Sequence, residues 1–86
     1  MIEIQVKINS TEEALRIVKE ADKLDNDVDF MNGRVMVDAK SVIGVLSSDF
    51  SKPCKIVLLA ERSDPGVETF IQTIQNNILK MEDTKR

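Results

Sequence analysis

The sequence contains no histidine and only one cysteine, Cys54, among its 86 residues. The lack of an imidazole side chain excludes histidine-based acid–base catalysis, histidine metal sites and phosphohistidine chemistry. One cysteine cannot form an internal disulfide, and it leaves too few ligands of the usual kind for a structural zinc ion. Cys54 is therefore interpreted as a small core residue at the start of a strand, in a protein of the reducing cytoplasm.

Positive charge and long apolar runs are also scarce. The chain has 12 Lys and Arg against 15 Asp and Glu, and no basic block precedes Lys85–Arg86, which argues against direct nucleic-acid binding. No apolar run approaches the roughly 20 residues of a membrane helix, and Glu3 and Lys7 interrupt any signal-peptide core. We predict a single domain over residues 1–86 that contacts no membrane, with a frayed charged end at 82–86.

Acidic residues alternate at Asp25, Asp27 and Asp29, a spacing that suggests a calcium site. However, no glycine or closing glutamate follows at the spacing of an EF-hand loop, and Phe30 begins a strand. We therefore predict no metal site and no cofactor.

The first half of the chain shows clear structural periodicities. Apolar residues alternate with polar ones from Ile2 to Ile8, which predicts a half-buried strand. Ser10 and Glu13 form the S-x-x-E pattern of a capping box and predict a helix start. The helix stripe has three- and four-residue spacing and comprises Ala14, Leu15, Ile17, Val18, Ala21 and Leu24. Asn32-Gly33 then predicts a type I′ hairpin turn between two short strands.

The second half predicts a short helix from Ser41, a strand and a long final helix. The segment CKIVLLAE is apolar on both faces and is typical of a central strand. The final helix is expected to start with Asp64 as N-cap and Pro65 at its first position, and to run to about Met81. The predicted fold is α+β: a two-layer open-faced sandwich whose four-stranded, mostly antiparallel sheet is covered on one face by helices.

Ser41 allows two interpretations. It is either an ordinary N-cap, or a phosphorylation site at which a phosphate would meet free backbone amides, with Lys40 helping to balance the charge. The helix that follows has more apolar residues than a short amphipathic helix needs. They are Val42, Ile43, Val45, Leu46 and Phe50. This helix is therefore either buried on two sides or exposes an apolar patch suited to docking a partner.

At VDAKSVIGVLSSDF the sequence resembles the HPr family, the small phosphocarriers of the bacterial phosphoenolpyruvate-dependent sugar phosphotransferase system. The similarity is carried by Lys40-Ser41, Val42-Ile43, Gly44-Val45 and Leu46-Ser47, and an ungapped register runs from about Ile8 to Phe50. The predicted element order is similar to that family's βαββαβα fold. The resemblance covers essentially the whole chain.

The resemblance implies the loss of one site and the retention of another. HPr proteins carry a phosphoryl-accepting histidine, then arginine and proline, where this sequence has Ser10, Glu12 and Glu13, so no catalytic residue is carried over. Ser41 stands at the position of the family's regulatory serine, the target of an ATP-dependent HPr serine kinase. The partner-binding surface, which contacts a carbon-catabolite regulator among others, is represented by Lys40, Val42, Ile43 and Leu46. The catabolite-repression HPr likewise lacks the histidine and keeps the serine.

Three hypotheses follow from these residues and from the resemblance. The leading one is a non-catalytic regulatory binding module, not an enzyme, that docks through the Ser41 helix and is switched by phosphorylation. The second is a phosphocarrier that uses another residue, such as Ser10, with Thr11 beside it. The third is a purely structural HPr-fold interaction protein in which Ser41 is only a cap.

Overall fold

A five-stranded antiparallel sheet packs against three helices through one of its faces, in a computed structural model that describes residues 1–84. A 3-10 turn at Gln75–Asn77 leads into the last strand. The elements are β1 Ile2–Val6, α1 Thr11–Asp22, β2 Val28–Asn32, β3 Val35–Asp38, α2 Val42–Leu46, β4 Cys54–Leu58, α3 Val67–Thr73 and β5 Ile78–Asp83.

The strands lie in the order β3-β2-β4-β1-β5, and every neighbouring pair is antiparallel. The predicted α+β class is confirmed, and β4 lies in the middle of the sheet, as its apolar sequence indicated. The sheet has one strand more than the four predicted, because β5 adds to the outer edge of β1. The helices α1 and α2 pack against each other, and α2 also packs against β3.

Side-chain alternation along the strands defines a buried face and an open face. The buried face contributes Ile2, Ile4 and Val6 from β1, which lie opposite Leu58, Ile56 and Cys54 of β4. The helix α1 contributes Ala14, Ile17, Val18 and Ala21 to the same core, with Leu24 just beyond its end. Leu15 does not belong to this stripe, contrary to the prediction, because it is exposed on the outer side of α1.

The hairpin turn lies one residue later than predicted. Asn32 pairs with Val35, so the two turn residues are Gly33 and Arg34. Gly33 has a φ of 64°, and no residue other than glycine has a positive φ within residues 1–84. A positive φ at the first turn position alone is typical of a type II′ turn, so the predicted type I′ turn is wrong.

The last part of the chain departs most from the prediction. The helix α3 begins after Gly66, not at Pro65, and ends at Thr73. Asp64 does not cap it; its carboxylate instead accepts hydrogen bonds from the Glu61 amide at 3.0 Å and from the Asn26 side chain at 3.3 Å. The segment predicted to continue the helix forms β5. Pairing with β1 gives hydrogen-bond partners to the amides and carbonyls at that sheet edge. This long-range pairing outweighs the local helical pattern.

The charged end predicted to fray is largely paired where it is described. Glu82 and Asp83 belong to β5, and the Thr84 amide donates to the Met1 carbonyl at 2.8 Å. Positions 85 and 86 of the predicted frayed end lie outside the described residues. No helix within residues 1–84 is long and apolar enough to cross a membrane.

Candidate functional site at the start of the second helix

Ser41 is held at the junction of β3 and α2 by three hydrogen bonds. Its Oγ accepts from the Gly44 amide at 3.1 Å, which makes it the N-cap of α2. Its own amide donates to the Asp38 carbonyl at 2.9 Å, and its carbonyl accepts from the Val45 amide at 3.0 Å. The hydroxyl is half-buried and already serves the helix start, so any modification of Ser41 acts directly on the cap.

Gly44 allows α2 to lie close to β3. A Cβ added at this position would be 3.1 Å from the Val37 Cβ and 3.2 Å from the Ser41 Oγ, both tighter than ordinary van der Waals contact. The mid-helix glycine, unfavourable by about 1 kcal/mol relative to alanine, is therefore explained by close packing. This close approach also holds the Ser41 cap against the sheet.

The helix α2 exposes most of its apolar side chains. Val45 is fully buried, whereas the exposed fractions are 46% for Val42, 81% for Ile43 and 36% for Leu46. Of the two arrangements that the sequence left open, the structure therefore has the exposed apolar patch. We call Val42, Ile43 and Leu46 the α2 patch. Three large apolar side chains are thus exposed next to the Ser41 hydroxyl.

Lys40, which the sequence suggested would help balance a phosphate on Ser41, has two hydrogen bonds of its own. Its Nζ donates to the Leu24 carbonyl at 2.7 Å, just beyond the end of α1, and its amide donates to the Asp38 carboxylate at 2.9 Å. The positive charge thus stabilises the carboxyl end of α1, where the helix dipole is negative.

The loop that follows α2 is fastened to the hairpin. The Asn32 side chain donates to the Asp49 carbonyl at 2.8 Å and accepts from the Asp49 amide at 3.1 Å. The hydroxyl and the amide of Ser51 both donate to the Asp49 carboxylate, and they hold its pKa below the usual value. Phe50 packs edge-on against Phe30 with ring centroids 6.5 Å apart. The α2 patch is therefore carried on a segment that is fixed at both ends.

Ser10, at the start of α1, has a closed hydrogen-bond arrangement. Its Oγ accepts from the Glu13 amide at 3.1 Å, as the predicted capping box requires. The Glu13 carboxylate accepts from the Asn9 amide at 2.9 Å and from the Asn77 side chain at 2.7 Å. The Asn9 amide and then the Asn77 side chain keep the pKa of Glu13 below its usual value. At this helix start the Glu13 amide is therefore taken by the Ser10 hydroxyl and the Asn9 amide by the Glu13 carboxylate.

Asn77 is a site residue that sequence reasoning missed. It is the one buried polar residue within residues 1–84, and its Nδ2 donates to the Lys7 carbonyl at 3.0 Å as well as to Glu13. Its carbonyl accepts from the Lys7 amide at 2.8 Å. The only sequence signal is a run of three polar residues, Gln75, Asn76 and Asn77, after an apolar stripe. The hydrogen-bond partners of Asn77 are too distant along the chain to be inferred from this run.

Phosphoryl chemistry has little support at Ser10. A phosphate there would face the carboxylates of Glu12 and Glu13, and like charges repel where arginine would attract. The nearby Lys7 ammonium donates to the Phe50 carbonyl at 2.6 Å. The two serines therefore differ: Ser10 lies in a polar, acidic and closed junction, and Ser41 lies beside exposed apolar side chains.

The structure also shows where Cys54 and the three alternating aspartates lie. Cys54 is buried at the start of β4, as predicted, and burial raises the pKa of its thiol. Asp25, Asp27 and Asp29 do not come together, and no group of three His, Cys, Asp or Glu side chains in the described part of the chain could hold a metal ion.

The architecture is that of HPr proteins. The histidine-containing phosphocarrier protein of Mycoplasma is similar with a TM-score of 0.67 and 16% identity, over 91% of this chain and 99% of that one. The phosphocarrier HPr of Bacillus anthracis gives 0.61 and 18%, over 86% and 98%. Crh of Bacillus subtilis, a catabolite repression containing protein, gives 0.57 and 21%, over 87% and 88%. No protein-family model and no curated protein matches the sequence, so these comparisons establish the fold alone.

Proposed function

We propose that this chain is a non-catalytic, regulatory binding module of HPr type that docks a protein partner through the α2 patch. Phosphorylation at Ser41 would set the affinity. The observation that supports the proposal best is the exposure of Val42, Ile43 and Leu46 immediately after the capping serine. A soluble domain exposes such a group of large side chains at a fastened helix chiefly where another protein covers it.

A phosphate on Ser41 would change this surface locally. It adds about 1.5 to 2 negative charges beside three exposed apolar side chains, and the Gly44 amide that now donates to Oγ could donate to a phosphate oxygen. Lys40 could take part only by leaving the Leu24 carbonyl, 2.7 Å from its Nζ. The phosphate would therefore be recognised mainly by cationic side chains of the partner, which makes it suited to a switch.

The proposed partners follow from the resemblance to the HPr family. The first is an HPr serine kinase, and the second is a carbon-catabolite regulator that binds the α2 patch. That Crh, with the same fold, is described as a catabolite repression containing protein supports the choice of regulator. The proposed location is the cytoplasm, which contains such partners and keeps a free buried thiol reduced.

A kinase assay tests the switch. The chain is incubated with the HPr serine kinase of its own source and labelled ATP, beside Ser41→Ala and Ser10→Ala. We expect label on the wild type and on Ser10→Ala, and none on Ser41→Ala. An unlabelled wild type, or equal label on Ser41→Ala, would remove phosphorylation from the proposal.

A binding measurement tests the docking surface. Ile43→Asp should weaken binding to the regulator at least tenfold, because it places a charge at the most exposed point of the α2 patch. Leu79→Asp, a comparable substitution at an exposed apolar residue of β5, is the matched control and should leave the dissociation constant unchanged. Equal loss in both variants would mean that α2 is not the docking element.

The two alternatives give different results. A carrier that uses Ser10 would accept label from phosphoenolpyruvate and Enzyme I and pass it to an Enzyme II component; a serine phosphate is a low-energy ester, so we expect no such transfer. A purely structural protein would bind its partners equally well as wild type and as Ser41→Asp. The proposed module requires the Ser41→Asp affinity to differ from that of the wild type.

A further inference from the structure

The open face of the sheet carries a row of acidic residues that crosses all five strands. The strand registers place Asp38 opposite Asp29, Asp29 opposite Val57, Val57 opposite Glu3, and Glu3 opposite Glu82. Residues directly opposite one another project from the same face. Four carboxylates and one valine therefore form a single line across the face that the helices leave uncovered.

Only one half of this row is neutralised. On β1 and β5, Glu3 pairs with Lys55 and Glu82 pairs with Lys80, each at 3.0 Å. On β2 and β3, Asp29 and Asp38 take part in no ion pair within residues 1–84. Like charges directly opposite one another destabilise a sheet, and no cationic side chain of the described protein neutralises this pair; the Asp38 carboxylate accepts only a backbone hydrogen bond, from the Lys40 amide.

A groove with an apolar floor lies beside the unpaired half. It has a volume of about 880 Å³ and includes Val57, Met36 and Leu59 among its lining residues, with Met36 60% and Leu59 47% exposed. The carboxylates along this groove and the smaller one next to it are those of Glu3, Asp27, Asp29, Asp38, Glu61 and Asp64. No Lys or Arg of the described chain lines either groove; Met1 does line the larger one, and its ammonium donates to the Thr84 carbonyl at 3.1 Å.

We propose that this acidic groove docks a basic segment of a partner protein. The segment would place lysine or arginine side chains at Asp29 and Asp38, and an apolar side chain against Met36 and Leu59. Three observations select this occupant. Charge complementarity requires a cation and excludes nucleic acid or an anionic membrane. The carboxylates are too dispersed to hold a metal ion within residues 1–84. The apolar floor suits a peptide better than a purely polar cation.

The groove would be occupied independently of the α2 patch. The helices pack against the other face of the sheet, and the groove-lining residues belong to the open face and to the segment after β4. One partner at each surface could therefore bind at the same time. The inference does not depend on phosphorylation of Ser41 or on any HPr partner.

The test uses a synthetic peptide of about eight residues in which lysine and leucine alternate, long enough at roughly 3.3 Å per residue to cross the groove. Titration is followed by amide chemical shifts. We expect the shifts to concentrate at Asp29, Met36, Val57 and Leu59, and the affinity to fall as salt is added. A peptide with glutamate in place of lysine should not bind.

Paired variants identify the charges. Asp29→Asn/Asp38→Asn should weaken the lysine–leucine peptide roughly fivefold or more, the sum expected of two exposed ion pairs. Glu12→Gln/Asp22→Asn removes the same charge from exposed positions of α1 and should not change the dissociation constant. Spermidine, which has the charge without apolar side chains, should bind more weakly than the peptide.

Several results would overturn the proposal. These are no binding by either the full chain or a chain that ends at Thr84, equal weakening in both double variants, shifts centred on Val42–Leu46, or spermidine binding as tight as that of the peptide. Because Lys85 and Arg86 lie outside the described residues, the titration is repeated on a chain that ends at Thr84. The same affinity is expected; binding that appears only in the shortened chain would mean that the basic end of the chain itself competes for the groove.

Discussion

Single residues determine how the two helix starts differ in chemistry. Ser10 and Ser41 both accept a hydrogen bond from the amide three residues on, at 3.1 Å in each case. The residue that donates is Glu13 in α1 and Gly44 in α2, and this difference decides what surrounds each hydroxyl. Glu13 adds a carboxylate that closes the start of α1, whereas Gly44 adds nothing and lets β3 approach. An N-cap of this kind stabilises by about 1 kcal/mol in either place.

Gly44→Ala should destabilise the protein despite the better helix propensity of alanine. The gain of about 1 kcal/mol is outweighed by crowding of about 1–3 kcal/mol, because the Val37 Cβ at 3.1 Å is fixed by its strand backbone and cannot rotate away. Urea unfolding should show a net loss of about 1 kcal/mol. The loss should be smaller when Gly44→Ala is made in a Val37→Gly background, which removes that Cβ. If Gly44→Ala were more stable than the wild type, β3 would have to move away from α2 at little cost in free energy.

Glu13→Gln should destabilise the protein in a pH-dependent way. Because the Asn9 amide and the Asn77 side chain lower the pKa of Glu13 in the folded state, its charged form stabilises the fold above the unfolded pKa of about 4.3. That contribution is lost as the pH falls through the lower, folded pKa. The difference in unfolding free energy between wild type and Glu13→Gln should therefore be largest at neutral pH and shrink below it.

The control for the pH experiment is Glu12→Gln, whose carboxylate makes no hydrogen bond in the described structure. Its effect on the unfolding free energy should be smaller than that of Glu13→Gln at neutral pH. A Glu13→Gln effect that does not change with pH would show that the carboxylate acts through shape and not through charge.

At the scale of elements, β5 is the clearest case of tertiary structure overriding local pattern. The apolar spacing from Val67 to Ile78 predicts one long helix, yet the helix stops at Thr73 and the chain turns at Gln75–Asn77. The Asn77 hydrogen bonds to Lys7 fix the turn against the end of β1. From there β5 pairs with the whole of β1, and an open strand edge is covered.

Met81→Glu and Leu79→Glu distinguish the two sides of β5. Met81 lies opposite Ile4 and packs against the core, whereas Leu79 is exposed at the register shift. A charge at Met81 should cost about 2 kcal/mol of unfolding free energy, and a charge at Leu79 should change it by less than about 0.5 kcal/mol. Thermal or urea unfolding measures both. Equal effects would contradict the strand and its register.

At the scale of the whole molecule, the two faces of the sheet have different roles. One face meets α1, α2 and α3 in a continuous apolar core, and the α2 patch lies on that side. The other face is solvated and carries the acidic row, of which half is paired with lysines. The formal net charge of −3 does not reveal this asymmetry, because the unpaired carboxylates lie along two neighbouring grooves on one face.

Asp29→Asn/Asp38→Asn should raise stability in the absence of any partner. Removing a directly opposed like-charge pair should increase the unfolding free energy by about 0.5 kcal/mol at low ionic strength. The gain should diminish as salt screens the wild-type repulsion. Glu3→Gln, which removes an acid already paired with Lys55, is the control and should give no gain. A destabilised double variant would mean that the two aspartates repel too weakly to matter.

Much of the chain is determined by its own sequence. The strand alternation, the Ser10 and Ser41 caps, the central position of β4 and the α+β class all depend on neighbouring residues or on a fixed period, so they can be predicted from the residues in order. The exclusions drawn from the absence of histidine are equally local. The exact position of the hairpin turn was not predicted, because the Asn32 side chain hydrogen-bonds to Asp49 across the loop, a contact 17 residues away.

Other features were decided only when the chain folded. Whether the α2 patch is buried or exposed depends on which side of α2 meets β3, and the short helix alone permits both. The end of α3, the burial of Asn77 and the strand β5 depend on a free edge of β1, some 70 residues earlier in the chain. The acidic row exists only through the registers of five strands. In each case the deciding interaction joins different elements of the fold, and local propensity, worth tenths of a kcal/mol per residue, is outweighed by it.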